Sequence, residues 1–293
     1  MGWNTIAGAC RAARRVSVSA ALGALGAVLF LNAPASAQTP GLPSPWHLGM
    51  QPAVSPVARD MQNFHDLLLW IITLISVFVL ALLVYVILRF RASANPVPSK
   101  TSHNTLIEVA WTVVPILILI VIAVPSFKLL YFADKTKEAE LTIKAIGKQW
   151  YWSYEYPDNG NFTFDATMVQ EADLKPGQVR LLETDNPVVV PVNTNVRLLV
   201  TAADVIHAWA MPAFGVKKDA VPGRTNETWF RAEREGVYYG QCSEICGAYH
   251  GYMPIKVVVV SKDAYAKWAE EAKQKFATVD GSSPRLADAR AAQ

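Results

Sequence analysis

Two thiols, an imidazole and a thioether fall within twelve residues of this 293-residue chain, in the run Gly240-Gln-Cys242-Ser-Glu244-Ile-Cys246-Gly-Ala-Tyr-His250-Gly-Tyr-Met253-Pro254. Thiolate and thioether sulfurs are soft donors that suit copper, imidazole suits several late metals, and a Met beside them argues against zinc, which prefers Cys, His and carboxylate. A single blue-copper ion takes one Cys, two His and a weak axial Met, so the second Cys exceeds what one such ion uses. Two ions could share both sulfurs, each then needing about two further donors. The run supplies His250, Met253 and a backbone carbonyl, which leaves one imidazole missing. The other imidazole of the soluble part is His207, in Asp204-Val-Ile-His207-Ala-Trp209, at the end of an apolar run that reads as a strand. A structural zinc site or a Cys242–Cys246 disulfide would use some of the same atoms; the spacing Cys-x3-Cys-x3-His-x2-Met favours copper over both.

The elements that must carry these ligands begin with an export signal. Arg11, Arg14 and Arg15 precede an apolar stretch from about Val16 to Leu31, followed by Ala35-Ser-Ala37, the pattern of a cleavable signal peptide over residues 1–37. Its removal takes Cys10 and leaves Cys242 and Cys246 as the thiols of the mature chain. Residues 38–64 form an exported arm, kept irregular by Pro43, Pro45, Pro52 and Pro56 as far as about Val57. Leu67 to Leu88 and Val109 to Phe127 are charge-free runs, near the roughly 20 residues a helix needs to cross a bilayer. They predict a hairpin over 65–131, with helices at about 65–90 and 107–131. Pro115 and Pro125 are tolerated because neighbouring helices satisfy the freed carbonyls. The connecting loop carries Arg89, Arg91 and Lys100 with no acid before Glu108, which places it on the cytoplasmic side and both mature termini outside.

Residues 132–276 read as an all-β domain. Its predicted strands are Leu141–Ile146, Trp150–Tyr156, Val179–Leu182, Val188–Val192, Val196–Ala202, Thr228–Ala232, Val237–Tyr239 and Ile255–Val260. Many short strands imply a sandwich or barrel. Ser261 reads as the N-cap of a closing helix whose Tyr265, Trp268, Ala269 and Ala272 recur at helical spacing, and 277–293 as a loose tail. At 52% hydrophobic residues the chain is richer in apolar side chains than a soluble protein usually needs, and its net charge of +3, with the bases scattered, is too small to suggest nucleic acid, so no nucleic-acid partner is expected.

In this order, the hairpin, aromatic strand and metal run resemble subunit II of cytochrome c oxidase, over nearly the whole mature chain. The resemblance implies a two-helix transmembrane hairpin, a cupredoxin-like Greek-key sandwich or barrel, a C-terminal helix and a dinuclear copper centre (CuA). It implies that Cys242 and Cys246 bridge both coppers, that His207 and Met253 complete one metal, and that His250 with the backbone carbonyl of Glu244 completes the other. The Glu244 side chain would help hold a magnesium ion shared with subunit I, a hard oxygen donor being what magnesium takes. The run Gln149-Trp150-Tyr-Trp152-Ser-Tyr154-Glu-Tyr156 matches the family's aromatic region. Trp150 would be where electrons arrive from cytochrome c. Lys148 stands where the family usually has His, and Ala203 where it places a further acid beside Asp204. Glu155, Asp185 and Asp204 match the docking acids for cytochrome c, whose basic face an acidic rim attracts. Glu108 matches the mouth of a proton-uptake path into subunit I. The implied protein sits in the bacterial inner membrane with other oxidase subunits, its copper domain in the periplasm. It passes electrons to the haem groups of subunit I for proton-pumping reduction of oxygen.

Overall fold

Ser55 opens the first helix and ties it to the rest of the chain. Its hydroxyl accepts from the Ala58 amide at 3.0 Å as an N-cap and donates to the Phe214 carbonyl at 2.6 Å. Helix α1 therefore spans Pro56–Arg89 and α2 spans Thr105–Asp134. The computed structural model describes residues 41–97, 99–134 and 138–276. The signal peptide, Cys10, the first residues of the arm and the tail after 276 lie outside these. The first helix starts about nine residues before the predicted 65 and shortens the arm. Pro56, read as a breaker, occupies the first helical turn, where its missing N–H costs nothing. Side chains from Leu69 through Leu88 stand mostly exposed on the isolated chain, and α2 has no buried residue, as expected of membrane-spanning helices. Both helices are long and apolar enough to cross a bilayer.

The domain after α2 is a sandwich of two five-stranded mixed sheets, cupredoxin-like in architecture. The first sheet runs β3-β2-β1-β5-β8, from β1 (Leu141–Lys148), β2 (Tyr151–Tyr156), β3 (Phe162–Ala166), β5 (Val196–Ala202) and β8 (Asn226–Phe230). The second runs β4-β10-β9-β6-β7, from β4 (Val188–Pro191), β6 (His207–Met211), β7 (Val216–Ala220), β9 (Gly236–Cys242) and β10 (Pro254–Val260). Alternation in β1 buries Leu141, Ile143 and Ala145 on one face; these pack with Trp152, Tyr154, Leu198, Trp209, Phe230 and Val257 between the sheets. Helix α3 (Lys262–Phe276) begins after Ser261, whose hydroxyl accepts from the Ala264 amide, and packs Trp268 against Tyr156 and Phe162.

Three strands escaped the reading, β3, β6 and β7, because each is short and two of them carry charge on their outer faces. One predicted strand is absent: Val179–Leu182 is a turn, in which the Leu182 and Glu183 amides both donate to the Val179 carbonyl and Leu181 has φ +65°. Its apolar residues line a loop laid over the second sheet, so composition suggested a strand where no ladder exists.

The β domain grips both helices. Trp229 Nε1 donates to the Phe132 carbonyl at 2.8 Å, Lys218 pairs with Asp134 at 3.1 Å, and Arg59 pairs with Glu233.

Candidate metal centre

Strand β9 ends at Cys242 and β10 starts at Pro254, so the metal run is the connection of an antiparallel hairpin. Strand β6 lies on the other side of β9, with Trp209 opposite Cys242, and this pairing brings His207 from 35 residues away in sequence to the loop. The donor atoms then fall into one cluster. Cys242 Sγ lies 3.9 Å from Cys246 Sγ, 3.9 Å from His207 Nδ1 and 3.4 Å from the Glu244 carbonyl; Cys246 Sγ lies 3.5 Å from His250 Nδ1 and 3.5 Å from Met253 Sδ. Two metal–ligand bonds of about 2.0–2.3 Å meeting near the tetrahedral angle hold their donors about 3.3–3.8 Å apart, so the spacing fits sulfur and nitrogen atoms sharing metal ions. His207, Cys242, Cys246 and Met253 are buried, which keeps water from competing for the ions. Among the described residues both cysteines are free.

Electrostatics prepare the metal-free site for cations. Burial raises the Cys242 thiol, but the His207 imidazole and the backbone at Glu244 and Ala208 outweigh it and bring it down to about 6. Burial and the neighbouring Cys242 sulfur push Cys246 up to about 12. The two shifts run in opposite directions, Cys242 toward the thiolate that metal ions take and Cys246 away from it.

Asp204 has a task that its exposed position concealed. Its carboxylate accepts from the Gln149 amide at 2.7 Å, from the Val205 amide at 2.6 Å and from His207 Nε2 at 2.9 Å. The last contact takes the Nε2 proton, so that Nδ1 is the ring nitrogen turned toward Cys242. Burial works against the Asp204 charge, but these donors prevail and hold it below the usual carboxylate range; burial likewise lowers His207, yet Cys242 and Asp204 raise it overall.

Trp150 lies in the turn between β1 and β2, not within a strand. Its indole Nε1 donates to the Cys246 carbonyl at 3.2 Å, beside the Gln149 side chain, which donates to the same oxygen at 2.8 Å. Its ring meets Tyr249 at 5.0 Å, and Tyr249 meets Tyr252 at 5.8 Å, so an aromatic row crosses the loop. Two glycines make these approaches possible. A Cβ at Gly147 would sit 2.7 Å from the His207 ring, and one at Gly247, where φ is +120°, would sit 3.0 Å from Trp150. Gln149, Gly147, Gly247 and Tyr249 escaped the sequence reading. Only Gly247 carried a local signal, a glycine directly after a candidate ligand cysteine.

The remaining candidates lie elsewhere. Glu155 pairs with Lys144 at 3.0 Å, and Asp185 accepts from the Thr167 amide and hydroxyl at 2.7 Å each. Lys148 turns toward Asp165, 3.9 Å away, on the side of β3. Glu108 accepts from the Asn104 amide at 3.3 Å while Asn104 accepts from the Leu106 and Ile107 amides, a reciprocal cap at the start of α2.

Comparison with known proteins agrees with this architecture. Residues 141–260 match the family described as cytochrome c oxidase subunit II, periplasmic domain, and residues 43–129 match its transmembrane domain. The chain is 54% identical over 245 residues to a probable cytochrome c oxidase subunit 2 of Rickettsia bellii, covering 84% of this chain and 90% of that one. It is 51% identical over 230 residues to cytochrome c oxidase subunit 2 of Oenothera berteroana, covering 76% and 89%. A solved periplasmic domain of cytochrome oxidase subunit II from Bradyrhizobium japonicum is 60% identical, with 49% of this chain and all of that chain covered at a TM-score of 0.46.

Proposed function

The chain belongs to the cytochrome c oxidase subunit II family, and from that premise we propose that it accepts electrons from cytochrome c at Trp150 and relays them through a dinuclear copper centre to the haem groups of subunit I. It is a subunit of the oxidase; reduction of oxygen and the coupled proton pumping would be the work of subunit I. One observation carries the proposal: six donor atoms of the types copper takes, two of them thiol sulfurs 3.9 Å apart, converge from β6 and the β9–β10 loop. Bound there, a copper pair would share one electron over both ions, so that gaining or losing it alters each bond little.

The protein's own residues do the rest. Cys242 and Cys246 would bridge, His207 and Met253 would complete one metal, and His250 with the Glu244 carbonyl the other. Asp204 fixes the tautomer of His207. The Trp150 indole, bonded to the Cys246 carbonyl, offers a short bonded route from the surface to a bridging sulfur. Trp150 with Glu155, Asp185 and Asp204 would form the face that meets cytochrome c, although each acid also holds a neighbour within the domain. The Glu244 side chain would contribute to a magnesium site completed by subunit I, and Glu108 would mark a proton path opening on the cytoplasmic side. This arrangement requires an exported β domain on the periplasmic face of the inner membrane, delivered by the signal peptide.

The test is the electron paramagnetic resonance spectrum of the full chain in detergent after copper loading. The expected signal comes from one electron shared equally by two copper nuclei. A localised single-copper spectrum, or zinc or a disulfide in its place, would overturn the reading and favour a copper carrier or a structural subunit.

A further inference from the structure

Residues 167–185 leave the first sheet after β3 and return to within hydrogen-bonding distance of their own start. The Asp185 amide donates to the Thr167 carbonyl at 3.0 Å, Thr167 donates twice to the Asp185 carboxylate, and the Val169 amide donates to the Glu183 carbonyl at 3.0 Å. The segment is a closed loop with pinned ends. Near its end Glu183 is 1% exposed, and a carboxylate removed from water to that degree is costly unless paired. Both oxygens are satisfied. Tyr239 Oη donates to Oε2 at 3.0 Å, and Lys256 Nζ pairs with Oε1. Burial and the nearby Glu183 charge push the Tyr239 hydroxyl up to about 12, so it stays a donor throughout the neutral range.

The two partners are placed with respect to the metal loop. Tyr239 and Lys256 face each other across the β9–β10 ladder, below the Ile255–Gly240 and Pro254–Gln241 rungs. Tyr239 precedes Cys242 by three residues and Lys256 follows Met253 by three, so the contact lies about 10 Å along the strands from the sulfur ligands. The same closed loop faces the metal loop a second time, where Met168, Leu174, Arg180 and Leu181 line a cleft together with Tyr252, the residue before Met253. It bonds the metal hairpin at its base and borders it near its tip.

We propose that Glu183 is a positioning residue for the metal centre: through Lys256 and Tyr239 it pins both strands of the metal hairpin to the closed loop 167–185, holding the ligand loop in its metal-ready shape before ions arrive. A charged pair suits this task because it is satisfied in one arrangement only, whereas apolar contacts at the same place would tolerate slippage of the loop. The inference rests on the metal-centre reading for its purpose, but not on which metal binds.

The test compares the full chain in detergent with Glu183→Gln, which keeps shape and removes charge, and with the double variant Glu183→Gln/Lys256→Met, which removes the stranded cation as well. Hydrogen exchange is followed on the metal-free chain, separately for residues 243–253 and for β1 and β5. Loss of copper to a copper(I) chelator is followed on the loaded chain. Glu183→Gln is expected to speed both exchange in 243–253 and copper loss about tenfold while leaving β1 and β5 unchanged, the lower end of what outer-shell partners contribute. The double variant should recover part of each. If Glu183→Gln does not fold, Tyr239→Phe removes a single hydrogen bond and should give about a threefold effect in the same places. Exchange that rises equally in both sheets, or a loop and a copper-loss rate that stay as in the parent chain, overturns the proposal and leaves Glu183 a general stabiliser. Because exchange is read without metal, failure of the copper reading and failure of this inference give different results.

Discussion

At Asp204 one side chain serves two proposed tasks, and substitution separates them. If its importance were confined to docking cytochrome c, Asp204→Ala would alter association and its salt dependence and leave copper in place. The hydrogen bonds to His207 and Gln149 argue for more: Asp204→Ala should weaken copper retention roughly 10- to 100-fold, measured by competition with a chelator. Asp185→Asn should leave it unchanged. The two glycines make a second pair. Gly147→Ala drives a methyl into the His207 ring and should reduce copper below two ions per chain, with a changed paramagnetic spectrum. Gly247→Ala meets Trp150 instead, at a backbone angle that costs a non-glycine residue about 1–2 kcal/mol. It should keep both coppers and slow electron uptake from reduced cytochrome c in stopped-flow mixing. Equal copper loss in both variants would contradict the division between ligand and relay.

Among the elements, the junction of α1 with the β domain depends on Ser55, which caps the helix and bonds the Phe214 carbonyl while fully buried. Ser55→Ala removes the cap and strands a buried carbonyl, and should cost about 1–3 kcal/mol. The expected readout is a lower thermal midpoint of the detergent-solubilised chain with copper content intact. The β domain with its closing helix carries a pH signature of its own. Burial raises Tyr154, Tyr156, Tyr238, Tyr239 and Tyr265 above the ordinary phenol range, with Tyr239 brought to about 12. The unfolded chain releases these protons near pH 10 while the folded chain retains them, so stability is full below about pH 10 and falls as pH rises above it. Denaturant unfolding of the metal-free chain should show its midpoint falling from about pH 10 upward. Tyr239→Phe should make that fall less steep, and a midpoint flat to pH 12 would contradict it.

For the whole molecule, α1 with 34 residues and α2 with 30 are about 51 and 45 Å long, against a hydrocarbon core of about 30 Å. The excess stands outside the bilayer, where Ser55, Asp134 and Phe132 fasten the helices to the sandwich. The domain is therefore carried on two anchored posts rather than on a slack tether. The proposed orientation puts Arg89, Arg91 and Lys100 inside, so cysteine placed at Ser99 should react with a membrane-impermeant reagent only after the cells are opened, and cysteine at Lys175 in intact spheroplasts. The reverse pattern would invert the proposed orientation.

Much of this protein is written in short-range terms that one chain suffices to read. The spacing of Cys242, Cys246, His250 and Met253 suggests its chemistry because all four candidate ligands lie in one short run, and the membrane spans are legible because bilayer thickness imposes a length on an apolar run. The aromatic strand and β1 were recoverable from their alternation. Other features depend on residues that are neighbours only after two sheets have packed. His207 proved to be a candidate ligand because β6 lies beside β9; Asp204, read as a rim charge, turned inward beneath it. Gly147 is required by a ring sixty positions later, and Glu183 by strands more than fifty later. Val179–Leu182 has strand composition but no ladder to join. Ligand type, spacing and periodicity are local properties and survive in sequence; hydrogen bonds and steric clearances across the sandwich exist only once the fold has brought their partners together.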